Sequence, residues 1–287
     1  MESNESAQAA AWPLYPYVLA ETENFAAVFK PPRMHSAPLG RAEGGSLLEW
    51  YARRFPGVMG LRGRKECEGG LAHRLDYETS GLALLAKTQK ALDSLLAQQA
   101  AGAFVKEYCA ICRKGAAPPP GYPPPPSPER ASGKGQWDRE IAACGAAPFP
   151  SRGFPIESFF RPYGPGRKQV RPALEGARGE IARDRGGYYR TEIFQRDAPE
   201  PGSPSPLAKI AARLSRGFRH QVRCHLAWIG LPILNDPLYG ARPETAAPPS
   251  PAPFMALRAT ALLFGDPETG ALREYRVPAL EYPAIYM

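Results

Sequence analysis

Short apolar runs, separated by prolines and glycines, set the rhythm of this chain. Phe25 to Phe29 reads as a brief strand, stopped by Lys30-Pro31-Pro32. Ser46-Leu47-Leu48-Glu49 has the spacing of a capping box, in which serine and glutamate satisfy each other's amides at a helix start. Leu47, Leu48, Tyr51 and Phe55 follow at helical intervals, so a helix is predicted from there. Leu82 to Ala86 is an unbroken apolar run that fits a buried strand. Thr88 is placed to cap a second helix through Ala91, Leu92, Leu95 and Leu96, which Gly102 closes. Phe104 to Cys112 and Tyr188 to Phe194 read as further strands. From Arg219 to Ile229, Val222, Leu226 and Ile229 share one helical face while Arg219 and Arg223 share another, and Gly230 and Pro232 end the helix. Leu257 to Phe264 and Tyr275 to Val277 make a last pair of strands. There is no regular βαβ alternation and no repeat. The predicted fold is α+β, with a mixed, mainly antiparallel sheet flanked by helices.

Proline changes the picture in the middle of the chain. The sequence holds 34 prolines, and Pro118 to Pro128 is almost nothing else. Such a stretch lacks the amide donors a sheet needs, so an extended polyproline-like surface loop is predicted. A second patch, Pro199 to Pro206, precedes Ile210, and residues 1–12 read as a frayed tail.

Composition narrows the class of partner. The formal net charge is +8, which favours an anion such as nucleic acid, although charge alone is weak support. No apolar run approaches the roughly 20 residues of a membrane span. Met1 to Ala11 has no basic flank or apolar core, so no signal peptide is expected. The five cysteines are odd in number and scattered, which suits free thiols in a reducing cytoplasm. Cys109 and Cys112 fall on a predicted strand with their thiols on opposite faces, so they read as core residues and not as a metal or redox pair.

Chemistry concentrates in Gly70 to Lys87. Asp76 follows His73-Arg74-Leu75, and Thr79-Ser80-Gly81 turns into the buried run. A carboxylate beside an arginine at the mouth of a strand is a good position for a reactive group. The same carboxylate serves equally as a cap on the backbone amides near Thr79, and residue types alone leave the two readings balanced.

The order of residues tips that balance. His73-Arg74-Leu75-Asp76 followed by Thr79-Ser80-Gly81-Leu82 resembles the H-R-L-D and T-S-G-L signature of the RluA-type family of RNA pseudouridine synthases. Phe29-Lys30-Pro31-Pro32 with Met34-His35 is similar to its K-P-x-G-x-x-x-H region, with Pro32 and Arg33 in place of the usual proline-glycine step. Lys106-Glu107-Tyr108-Cys109-Ala110 resembles its K-x-Y-x-A strand. His220-Gln221-Val222-Arg223-Cys224-His225-Leu226, running on to Asp236-Pro237-Leu238-Tyr239-Gly240, resembles its H-Q-I-R-x-H-L helix and the loop beyond. One departure stands out: the family reads T-G-R-T before H-Q, and this chain has Arg216-Gly217-Phe218-Arg219.

The resemblance implies the pseudouridine synthase catalytic fold over residues 13–287, a proline-rich insertion at about 115–180 and no separate N-terminal RNA-binding domain. It implies a cytoplasmic enzyme, expected to be a monomer, that isomerises uridines in structured ribosomal or transfer RNA, with no DNA or membrane partner, no cofactor and no metal. Asp76 would be the catalytic carboxylate, as nucleophile or as base at the sugar's 2′ position, with Arg223 as its cationic partner and Tyr108 stacked on the target uracil. Arg74 would fill the space the flipped base leaves. His73, Lys30, Lys106, Arg219 and His220 complete the expected RNA-binding set, and Thr79, Ser80 and Gly81 shape the active-site loop. Two other classes compete with this reading. One is a non-catalytic RNA-binding or assembly factor on the same scaffold. The other is a hydrolase using Asp76 with Glu78, or a metal held by His73 and His225.

Overall fold

A computed structural model describes residues 13–39, 45–126, 153–177, 181, 187–195, 207–240 and 254–280. The predicted tail at 1–12, the patch Pro199 to Pro206 and the end of the proline run at 127–128 lie outside the described residues. The chain divides into two compact units, the first running up to Ala101 and resuming at Arg258, the second from Gly102 to Leu257.

The first unit is built on β1 (Tyr17–Glu21), β2 (Phe25–Lys30), β3 (Ser80–Ala86), β9 (Leu257–Gly265) and β10 (Leu272–Arg276). β1, β2 and β3 are antiparallel neighbours, β3 meets β9 in parallel at Ser80 and Gly81, and β9 and β10 form an antiparallel pair. β2 and β3 are buried at every position, as their unbroken apolar runs require. Helix α1 (Leu47–Ala52) starts at the predicted capping box, with Ser46 Oγ accepting from the Glu49 amide and the Glu49 carboxylate accepting from the Ser46 amide. It ends before Phe55, where a short 3-10 turn over Pro56–Gly60 takes over. Leu47, Leu48 and Tyr51 pack with Ala26, Val28, Ala83 and Leu85 of the strands. Helix α2 (Gln89–Ala101) begins after Thr88, whose Oγ1 accepts from the Ala91 amide, and stops where Gly102 takes a φ of 77°.

The second unit holds β4 (Val105–Arg113), β5 (Phe154–Tyr163), β6 (Gln169–Ala173), β7 (Tyr189–Gln195) and β8 (Leu207–Leu214), all antiparallel in the order β4-β8-β7-β5-β6. The sequence pattern predicts no strand in 115–180, yet β5 and β6 lie there. Their prolines conceal them. Pro162 stands opposite Val170, and Val170 gives its amide to the Tyr239 hydroxyl at 2.8 Å, so the missing proline donor costs the ladder nothing at that pair.

Helix α3 (Gln221–Trp228) is buried on every side. It closes with the Gly230 amide donating to the Ala227 carbonyl and the Leu231 amide to the Leu226 carbonyl, while Gly230 takes a φ of 80°. Arg219 and Arg223, predicted to share one helical face, are separated by the helix start. Arg223 is 2% exposed, whereas Arg219 lies before the helix and is exposed. The sheets and few helices make this a mixed, mostly antiparallel α+β protein, in agreement with the sequence reading.

Candidate active site

The first unit carries Asp76 on a loop that is stitched down from several sides. The Ser36 hydroxyl accepts from the Leu75 amide and donates to the Leu75 carbonyl, both at 2.9 Å, which pins the residue before Asp76. The Thr79 amide donates to the Asp76 carbonyl oxygen at 3.1 Å, so the main chain itself closes this turn. His35 packs on Tyr77 with ring centroids 4.5 Å apart. Asp76 is left half-buried between Leu75, which is buried, and Tyr77, which is exposed.

Gly81 explains the small residue in the T-S-G turn. Its φ is 117°, and a Cβ there would stand 2.2 Å from the Ala259 carbonyl oxygen. A side chain would force β9 away from β3 directly behind the loop. Ser80 and Thr79 are buried beside it.

Lys30 closes the loop from beneath. It is fully buried, opposite Gly81 in the β2–β3 register, and its ammonium donates to the carbonyls of Pro31 (2.9 Å), Met34 (2.8 Å) and Tyr77 (3.3 Å). Burial pushes its pKa down to about 7, against the pull of the Asp76 and Glu78 charges. In this arrangement the Lys30 charge acts on the loop from inside. The family's glycine position, Arg33 here, takes a φ of 58°, so a branched-off side chain occupies left-handed backbone where glycine is cheaper. Arg74 is exposed and its Nε lies 3.1 Å from the buried Glu68 carboxylate, while His73 next to it is buried.

The second unit carries the remaining predicted residues. Tyr108 lies on β4 opposite Ala212 and is 9% exposed. Lys106 shares its face of the strand, is buried, and holds its ammonium 5.7 Å from the centre of the Phe104 ring. Arg223 forms a fork with Asp236, Nε to Oδ2 and Nη2 to Oδ1 at 2.8 Å each. Asp236 Oδ1 also accepts from the Leu238 and Tyr239 amides at 2.9 and 3.1 Å. The guanidinium is thereby tied to the Asp236–Tyr239 loop, and it lies 5.3 Å from the Tyr239 ring centre. The motif holds Asp236 in its D-P-L-Y-G stretch, but the sequence alone assigns that residue no role.

The two histidines of the helix motif are both within hydrogen-bonding distance of hydroxyls of the protein. His220 takes a φ of 57° and its Nδ1 is 3.1 Å from the Tyr239 hydroxyl. His225 is wholly buried between the hydroxyls of Ser158 (2.9 Å) and Thr191 (3.0 Å), and burial drives its pKa down to about 3. Both its ring nitrogens are thus engaged, which removes the metal role weighed for it. Among the described residues no cluster of three metal-type side chains occurs, and no helix is long and apolar enough to cross a membrane. Phe218, at the position of the family's arginine, stacks on Phe160 with ring centroids 5.0 Å apart and packs on Tyr189. It is half-buried and packs against the core cluster of Phe160, Val170 and Tyr239.

Comparison with known proteins agrees with these motifs. Residues 24–228 match the family described as RNA pseudouridylate synthase. The chain is 23% identical over 273 residues to ribosomal large subunit pseudouridine synthase D of Pseudomonas aeruginosa, covering 92% of this chain and 68% of that protein. It is 28% identical over 213 residues to an uncharacterized RNA pseudouridine synthase of Chloroflexus aurantiacus, covering 74% of this chain and 51% of that protein. In structure it resembles human RNA pseudouridylate synthase domain containing 1, with a TM-score of 0.58 at 17% identity over 95% of this chain and 86% of that one.

Proposed function

The chain belongs to the RNA pseudouridylate synthase family, and on that premise we propose that it isomerises uridine in structured ribosomal or transfer RNA through the Asp76 carboxylate. The observation that carries this reading is the way Asp76 is held. A half-buried carboxylate stands on a loop fixed by the Ser36–Leu75 bonds, the Thr79–Asp76 turn and the Lys30 ammonium. Such pre-organisation suits a group that must meet one sugar or base atom in one geometry.

The reaction is balanced within the substrate. The bond from N1 of uracil to C1′ of the ribose breaks, a bond from C5 to C1′ forms, the C5 proton leaves and N1 gains one. Asp76 has to be ionised to take part, and the buried Lys30 ammonium is bonded to the Tyr77 carbonyl of the same loop. Arg223, locked by Asp236, supplies a permanent cation, and Tyr108 supplies a ring face for the uracil with a hydroxyl for proton transfer. The target nucleotide has to leave its stack to reach a carboxylate, and exposed Arg74 is the side chain proposed to replace it.

The ribosomal name of the bacterial relatives favours ribosomal RNA as substrate. The test is incubation of the pure protein with large-subunit ribosomal RNA and transfer RNA transcripts, followed by nucleoside analysis. Pseudouridine in the ribosomal transcript is expected. Free uracil without pseudouridine would mean hydrolysis, and tight RNA binding with neither product would mean an assembly factor.

A further inference from the structure

Three segments of the second unit lie against one another and carry no acidic residue. They are residues 113–126, residues 158–174 and residues 216–220, and together they hold eight Lys and Arg side chains with no Asp or Glu. That number equals the whole formal excess of +8 in the chain. Glu157 and Glu175 border the middle segment, and between them the charge is of one sign.

The turn between β5 and β6 is the most exposed part of this surface. Pro165, Gly166, Arg167 and Lys168 are all exposed, and the Lys168 side chain makes no hydrogen bond or ion pair with the described residues. The turn is nevertheless rigid. Arg219 spans it from one side, its Nη2 donating to the Arg167 carbonyl at 2.9 Å and the Gln169 carbonyl at 3.3 Å. The proline segment braces it from the other. The Tyr163 hydroxyl donates to the Pro120 carbonyl at 2.7 Å, Arg171 Nη1 donates to the Gly121 carbonyl at 2.8 Å, and Tyr122 donates to the Val170 carbonyl at 3.1 Å. Trp228 Nε1 holds the Pro123 carbonyl at 2.8 Å, so the prolines are strapped across helix α3 as well.

Backbone geometry adds a second, independent sign. Arg167 adopts a φ of 55°, a conformation in which glycine or asparagine costs less. A charged side chain kept in such backbone points to use at that position. The base of the hairpin is then bonded toward the Arg223 fork. Gln169 donates to the Leu238 carbonyl at 2.8 Å, and Leu238 and Tyr239 are the residues whose amides Asp236 accepts.

We propose that the β5–β6 turn, with Arg167, Lys168 and Arg219, is a preformed dock for the phosphate backbone of the RNA substrate, outside the nucleotide that is isomerised. The inference rests on RNA being the substrate. The dock is rigid before binding, so phosphates meet it with little ordering cost. The proline segment serves it as a brace, which gives a purpose to a stretch that the catalytic motifs leave unexplained.

The test is fluorescence anisotropy of a labelled ribosomal RNA fragment against salt concentration, for the wild type and for R167A/K168A in the full chain. Each lost phosphate contact lowers the slope of log K against log salt by about 0.7–0.9. The double variant should therefore lose about 1.5 from the slope and about tenfold in affinity near physiological salt, with its thermal midpoint unchanged. R167K, which keeps the charge, should restore most of the slope when Lys168 is present. Unchanged slope and affinity in R167A/K168A would overturn the dock even if the enzyme forms pseudouridine. Loss of binding to phosphatidylserine vesicles, with RNA binding unmoved, would overturn it too. Wild-type protein that loses its RNA affinity with R167A/K168A but yields no pseudouridine would instead overturn the catalytic reading and leave the dock standing.

Discussion

Lys30 in the first unit and Arg223 in the second are both cations sealed from water, and they are satisfied in opposite ways. Arg223 has a carboxylate in fork geometry, itself fixed by two amides, so its charge is permanent and its position determined. Lys30 has three carbonyl oxygens and only the more distant pull of Asp76 and Glu78. Carbonyl dipoles repay less of the desolvation cost than a carboxylate does, so the lysine becomes easy to neutralise. The second unit therefore holds a fixed charge, and the first holds an adjustable one beneath its own Asp76 loop.

Breaking the fork should have the largest effect. Asp236→Ala leaves the Arg223 guanidinium buried without its fork partner and should cost about 3–5 kcal/mol in denaturant unfolding. Replacing both partners by apolar residues should return much of that loss, because no buried charge then remains. A loss under about 1 kcal/mol for Asp236→Ala would show that the fork is no more than a surface-type pair.

The lysine should reveal itself through pH. Its folded pKa, about 7, lies below its unfolded value, so the unfolded chain binds more protons between the two. The penalty is present in full below pH 7, and stability should rise as pH climbs from there toward the ordinary lysine range, by roughly 5 kcal/mol at most. Lys30→Met should flatten that rise. Parallel stability curves for the wild type and the variant would mean that Lys30 keeps an ordinary pKa. The arginine has no such window, since a guanidinium stays protonated throughout.

The smallest effect is expected at Arg33. Its left-handed backbone costs about 1–2 kcal/mol, which glycine would relieve while adding freedom to the unfolded chain. Arg33→Gly should stabilise the protein by about 0.5 kcal/mol, read as a small rise in the thermal midpoint. A drop instead would assign the Arg33–Glu78 contact at 3.8 Å more weight than an exposed pair usually has.

These contrasts also separate what the sequence reveals from what it hides. The capping box at Ser46, the buried run of β3 and the Gly102 stop were legible, because each is a local rule written in adjacent residues. Helix α3 is legible, but the burial of Gln221, Arg223 and His225 is not, since their partners lie on distant strands and loops. Strands β5 and β6 were hidden by prolines whose missing amides are harmless at their places in the ladder. β8 was hidden by alanines, whose helical preference yields to pairing with β4 and β7 on either side. Asp76 was legible through the order of its neighbours. The Lys30 bonds and the Asp236 fork were not, because burial and long-range pairing leave no periodic trace.

The central claim is that chemistry runs through Asp76, and one substitution tests it. Asp76→Asn removes the negative charge and keeps the size of the side chain, so the loop held by Ser36, Thr79 and Lys30 should stay in place. Pseudouridine formation on the RNA fragment that serves as substrate should be measured for both proteins alongside RNA affinity. The account predicts no detectable product from Asp76→Asn, with affinity within about twofold of the wild type, since only an interaction made in the transition state is lost. Full activity in Asp76→Asn would contradict it.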